Sequence, residues 1–212
     1  EFYTHKLMTP MFVPPAHPHG DPLVFVAAVG DRMTEMCGEV ADGLLAHAFS
    51  TQRYVREVTL PTLSRGLARS GRLRSDVEVC SPLFVVTGRD EAELRSAAAG
   101  TRKQIAFYAS TPAYRKVLEL HGWGDLQTEL HQLSRDGDWD TMGSLIDDVM
   151  LDEFAVVAPV DELAKKIRAR CDGLFDRILV GFPPAIDEAT VVDLVADLRN
   201  GAATGPRARS HG

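Results

Sequence analysis

The first strongly patterned stretch is Leu23-Val24-Phe25-Val26-Ala27-Ala28-Val29, apolar without alternation. A short run of this kind predicts a strand covered on both faces, as in parallel sheets. Gly30 ends it. Asp31 then predicts an N-cap for a helix from Arg32 to about Ala41, with Met33, Met36, Cys37 and Val40 along one face. Asp42-Gly43 predicts a helix stop and a tight turn into a second strand, 44–48. Ser50 or Thr51 caps a helix over 52–70, kinked or split by Pro61 and closed by Gly71. The third strand is 77–87, with Pro82 implying a bend or an edge position. Asp90 caps a long helix from Glu91 to Tyr108. Residues 109–157 read as short helices without clean strands: Thr111-Pro112 to Leu120, Asp125 to Leu133, and Thr141 through Met150 towards Phe154. A helix over Glu162–Arg170, a fourth strand over Arg177–Phe182 and a helix from Asp187 to Leu198 complete the pattern.

Strand and helix alternate about four times, with a helical insertion after the third strand. That order predicts a parallel sheet with right-handed crossovers. The opening residues carry Pro10, Pro14, Pro15, Pro18 and Pro22, which predicts a long loop with a short extended piece around Phe2–Phe12. Residues 1–200 are expected to form one domain, and 201–212, rich in Gly, Ala and Arg, a disordered tail.

Composition narrows the function. The 212 residues are 45% hydrophobic and 25% charged, with a net charge of −7. An acidic surface repels phosphate backbones, so no nucleic-acid partner is expected. No apolar run approaches the ~18 residues of a membrane span, so no membrane partner is expected either. Cys37, Cys80 and Cys171 are widely spaced and form no disulfide framework, which suits a reducing, cytoplasmic location. His17 and His19 flank Pro18 with only Asp21 nearby, too few ligands for a metal centre.

Two places carry candidate chemistry. In parallel α/β proteins the C-terminal ends of strands and the starts of helices face the ligand. Ala28-Val29-Gly30-Asp31-Arg32-Met33 is such a corner, where free N–H groups and the helix dipole suit an anion. A plain strand-to-helix turn is the alternative. Asp31 opposes an anion unless its carboxylate turns onto its own helix N–H groups. His47 follows the second strand, as a ligand contact or as a partly buried histidine with a backbone partner. No Ser-His-Asp signature, phosphate-binding Gly-Lys-Ser/Thr loop or Gly-x-Gly-x-x-Gly occurs.

The proline-rich opening, Val26-Ala27-Ala28-Val29-Gly30-Asp31-Arg32-Met33 and Gly38-Glu39-Val40-Ala41-Asp42-Gly43-Leu44 together resemble the luciferase-like monooxygenase superfamily. The likeness is greatest to its branch that uses the deazaflavin coenzyme F420. Ala106-Phe107-Tyr108, Pro112-Ala113-Tyr114 and Asp176-Arg177-Ile178 add to it. The resemblance implies a partial (β/α)8 TIM barrel, roughly the C-terminal half. It implies hydride transfer between the coenzyme and a small organic substrate, with the Gly30 corner and His47 on the coenzyme. An FMN-dependent monooxygenase is the alternative, and a non-catalytic α/β binding module a further one. Catalytic residues would lie in the other half of the barrel, so none is carried over. Uncovered sheet edges and an exposed apolar face would favour self-association into oligomers.

Overall fold

The computed structural model describes residue 11 and residues 18–200. The extended piece expected at 2–12, apart from residue 11, and the tail at 201–212 lie outside them. Five parallel strands alternate with helices. They are β1 (Phe25–Ala27), β2 (Gly43–Leu45), β3 (Glu78–Val86), β4 (Ala155–Val157) and β5 (Arg177–Val180). The helices are α1 (Asp31–Val40), α2 (Gln52–Tyr54), α3 (Leu60–Ser70), α4 (Glu91–Ala109), α5 (Arg115–Leu120), α6 (Gly124–Asp136), α7 (Trp139–Ser144), α8 (Asp148–Phe154), α9 (Val160–Cys171) and α10 (Glu188–Asn200).

The long strand β3 is the hub. It pairs with β2 along Glu78–Cys80, with β5 along Cys80–Leu83 and with β4 along Phe84–Val86. Asp176, just before β5, fixes this junction: its carboxylate accepts from the Val79 N–H at 2.7 Å and pairs with Arg74 at 2.7 Å. Pro82 sits mid-strand at no cost, for a reason visible in the ladder. Cys80 accepts from Ala46 of the β2 side, whereas Val79 accepts from Asp176 of the β5 side. The nitrogen of Pro82 therefore faces the β2 side, beyond the last residue that β2 pairs.

Register explains the layering. Val26, Leu44 and Val79 lie side by side and pack with Cys37, Leu63 and Leu67 under α1 and α3. The opposite face carries Ala27, Leu45, Cys80, Pro82 and Leu179, and there Leu45 is 41% and Leu179 70% exposed. This is the apolar face expected of an arc of a barrel. A second core joins Phe49, Phe84, Val86, Ile105, Leu118 and Phe154 beneath the inserted helices. A third holds Val85, Val156, Leu163, Ile167 and Leu194. Among the described residues no helix is long and apolar enough to cross a membrane.

Several local expectations change. Strand β4 follows the last of the short helices in a stretch read as holding no clean strand, so the described residues form five strands rather than four. The third inserted helix is two, α7 and α8, each begun by its own aspartate: Asp138 accepts from Thr141 N–H and Asp147 from Met150 N–H. Strand β2 starts one residue early and ends at Leu45. Gly43 serves packing rather than a turn: a Cβ there would lie 2.1 Å from the Phe25 ring across the ladder. Pro61 divides its helix, as read, into α2, a π-helical turn and α3. It has no N–H to offer the Glu57 carbonyl, and the chain widens into a π-helical turn over Val55–Thr59, with Leu60 N–H donating to Val55. Thr51, Asp90 and Asp187 cap their helices as read.

Candidate functional site

The corner at the end of β1 is open among the described residues. Gly30, not Asp31, is the N-cap of α1; it is extended, with φ −89° and ψ 154°, and no side chain caps the helix. Among the described residues, a Cβ built on Gly30 would meet nothing within 4 Å. Among the described residues, the N–H groups of Asp31, Arg32 and Met33 have no hydrogen-bond acceptor, while the Gly30 carbonyl accepts from both Thr34 N–H and Thr34 Oγ1. Four such donors are orphaned at any helix start and suit an oxyanion. Asp31 does not cap because its carboxylate reaches the Lys116 ammonium of α5, at 2.7 Å. That pair offsets the charge that opposed an anion. It holds the Lys116 ammonium above its ordinary range, chiefly through the hydrogen bond to Asp31. Ala28 is buried, Val29 half-buried, and Arg32 and Met33 point to solvent.

His47 lies two residues past β2, half-buried. Its Nδ1 accepts from the Phe49 N–H at 3.0 Å. A ring nitrogen that accepts carries no proton, so the ring is neutral and Nε2 bears the hydrogen. Burial pushes its pKa below the usual histidine value. The ring stacks on Tyr114 (centroids 4.8 Å, 27°) and meets the edge of Tyr108 (4.7 Å, 76°). Phe49 lies behind, 5.5 Å from Tyr114 and stacked on Phe154 at 4.3 Å.

One inserted segment joins the two places. Tyr114 ends a short 3-10 turn begun by Pro112, and Lys116 follows in α5. The first stacks on His47 at the end of β2, and the second pairs with Asp31 at the end of β1. Behind them Tyr54 is buried, its hydroxyl pKa raised first by burial and then by Asp31. The structure thus brings the Gly30 corner and His47 under one clamp. Sequence reasoning did not single out Tyr108, Tyr114 or Lys116 as site residues, although both tyrosines stood in the stretches that carried the resemblance. Among the described residues no group of three or more His, Cys, Asp or Glu could hold a metal.

Comparison with known proteins places the chain. A family model described as luciferase-like monooxygenase matches residues 1–177. An uncharacterized protein of Mycobacterium tuberculosis is 62% identical over 188 residues, covering 89% of this chain and 55% of that protein. The chain spans about half the length of the curated relatives it matches. The coenzyme F420-dependent tetrahydromethanopterin reductase from Methanopyrus kandleri superposes with a TM-score of 0.64 at 24% identity, over 81% of this chain and 48% of that one. The EDTA monooxygenase from Chelativorans sp. BNC1 superposes with a TM-score of 0.59 at 17% identity, over 95% of this chain and 50% of that one. At these identities the two structures show the fold, a parallel α/β barrel of which this sheet is an arc. The match over most of its length and the shared barrel architecture make this chain a member of the luciferase-like monooxygenase family.

Proposed function

We propose that the chain serves an F420-dependent oxidoreductase, with the Gly30 corner receiving an anionic part of the coenzyme. The observation that carries this reading is the uncapped start of α1, where three N–H groups have no acceptor among the described residues and a Cβ on Gly30 would meet none of those residues within 4 Å. The residues fit such a group. Gly30 lets a phosphate approach the backbone, the N–H groups of Asp31, Arg32 and Met33 donate to it, and Lys116 neutralises Asp31 beside it. When bound, the coenzyme supplies the hydride chemistry; the protein positions it and limits access of water. The solved F420-dependent reductase of the same fold supports the choice of coenzyme. The EDTA monooxygenase keeps FMN as the alternative, since that coenzyme also carries a phosphate.

Titration of the chain with F420, and in parallel with FMN, tests the reading. Gly30 has a φ of −89°, which valine adopts freely, so Gly30→Val folds as the parent does. The valine side chain holds the phosphate off the N–H groups. Losing one or two charge-assisted hydrogen bonds, at ~1.5–3 kcal/mol each, weakens binding at least about tenfold. Equal affinity in the two proteins, or tighter binding of FMN than of F420, overturns the assignment.

A further inference from the structure

We propose that His47, Tyr108 and Tyr114 form a recognition site for the carbonyl oxygen of a neutral substrate with a flat apolar body. Three rings cluster here, and each carries a hydrogen-bonding atom without a partner among the described residues. Nε2–H of His47 and the hydroxyls of Tyr108 and Tyr114 make no hydrogen bond among the described residues, and none of the three atoms is sealed from solvent. The only sealed, unpartnered side-chain polar atom among them is Oγ1 of Thr87, at the end of β3. The three rings lie within 4.7–6.0 Å of one another, centre to centre.

The chemistry of the cluster selects its ligand. The Nδ1 of His47 is taken by the Phe49 N–H, which leaves Nε2 a donor only. Each phenol adds an O–H. Donors on a wall of aromatic rings call for an oxygen acceptor carried on a planar apolar body. The site is uncharged: the imidazole is neutral, and the nearby Lys116 is committed to Asp31. A neutral carbonyl therefore suits it better than a carboxylate. The position agrees, since His47 follows the C-terminal end of β2, where a barrel presents its substrate contacts. Sharing the Pro112–Leu120 clamp with the Gly30 corner sets the site beside the proposed coenzyme position. This inference deepens the oxidoreductase reading by naming the acceptor group of its substrate, and it rests on that reading for the word substrate; the binding site itself does not.

The test uses the full chain and acetophenone, with ethylbenzene as the matched probe without an oxygen and benzoate as the charged one. Isotope-detected NMR follows the Nε2 and Cε1 signals of His47. Acetophenone is expected to shift them saturably in the millimolar range, at least about fivefold more tightly than ethylbenzene or benzoate. The Tyr108→Phe/Tyr114→Phe double variant keeps all rings and is expected to bind acetophenone about tenfold more weakly. Equal response to acetophenone and ethylbenzene, tighter binding of benzoate, or unchanged affinity in a folded double variant each overturns the proposal. The probe comparison on the parent decides even if the double variant misfolds. F420 titration reads the Gly30 corner alone, so failure of either site is seen separately.

Discussion

The crossing of α1 and α3 sets a sharp test of packing. Gly66 of α3 lies against α1 so closely that a methyl there would sit 1.8 Å from the Glu35 carbonyl oxygen and 3.1 Å from the Gly38 Cα. These are backbone atoms, so no side chain can swing aside. To reach even a 3.0 Å contact the helices must part by about 1.2 Å. Parting them loosens Cys37 and Leu63, both fully buried, and Leu67. Overpacking of this kind costs about 1–3 kcal/mol, and a gap opened between backbones belongs at the upper end. Alanine returns up to about 1 kcal/mol through helix propensity. Gly66→Ala is therefore expected to destabilise the chain by about 2 kcal/mol, measured as a lower midpoint in urea at unchanged slope. Gly100 of α4 is the control. A Cβ there meets nothing within 4 Å, so Gly100→Ala is expected to stabilise by up to about 1 kcal/mol. Two Gly→Ala changes in helices should thus differ in sign. A Gly66→Ala protein as stable as the parent, or a pair of variants moving together, refutes the argument. Because α1 also carries the Gly30 corner, the destabilised variant should bind the coenzyme more weakly as well.

Burial lowers the pKa of both His47 and His121. The folded chain then binds fewer protons than the unfolded one, so their contribution to stability is complete above about pH 6.5 and is lost as pH falls through that range. The melting temperature is expected to drop between pH 7 and 5, and His121→Gln, which can still reach Thr51 Oγ1, should flatten part of that slope. Arg170 donates to the carbonyls of Asp152, Glu153 and Ala155 and so closes the C-terminal end of α8 against α9. Arg170→Met removes those charge-assisted bonds and is expected to cost about 2–4 kcal/mol in chemical unfolding; a loss under 1 kcal/mol would show that water replaces them freely.

How far the chain could be read varies with the range of the forces involved. Strands β1, β2, β3 and β5 were legible because apolar runs bounded by glycine or proline are local signals. Strand β4 was not: Ala155-Val156-Val157 follows Phe154 of α8 with no turn residue between, and only pairing with Phe84–Val86 makes it a strand. The Gly30 corner and the position of His47 were legible for the same local reasons. The role of Asp31 was misread because its partner Lys116 lies 85 positions away, and a carboxylate beside a helix start reads as a cap unless that partner is seen. The aromatic surroundings of His47 are also long-range, supplied by Tyr108 and Tyr114 of the insertion.

The junction at β3 bears on how the chain folds as it is made. Val79 is tied to Asp176 across 97 positions, and the Glu78–Arg177 ion pair spans 99. Contacts this remote give slow, topology-limited folding, because a long loop must close before any bond rewards it. At a synthesis rate of about 5–20 residues per second, β3 waits roughly 5–20 s after it is made before β5 exists. During that interval its donors and acceptors on the β5 side are open to any extended segment nearby, including those of another nascent copy. Variants that loosen the Asp176 tie should therefore lower the yield of soluble chain during synthesis more than they lower the stability of the finished protein.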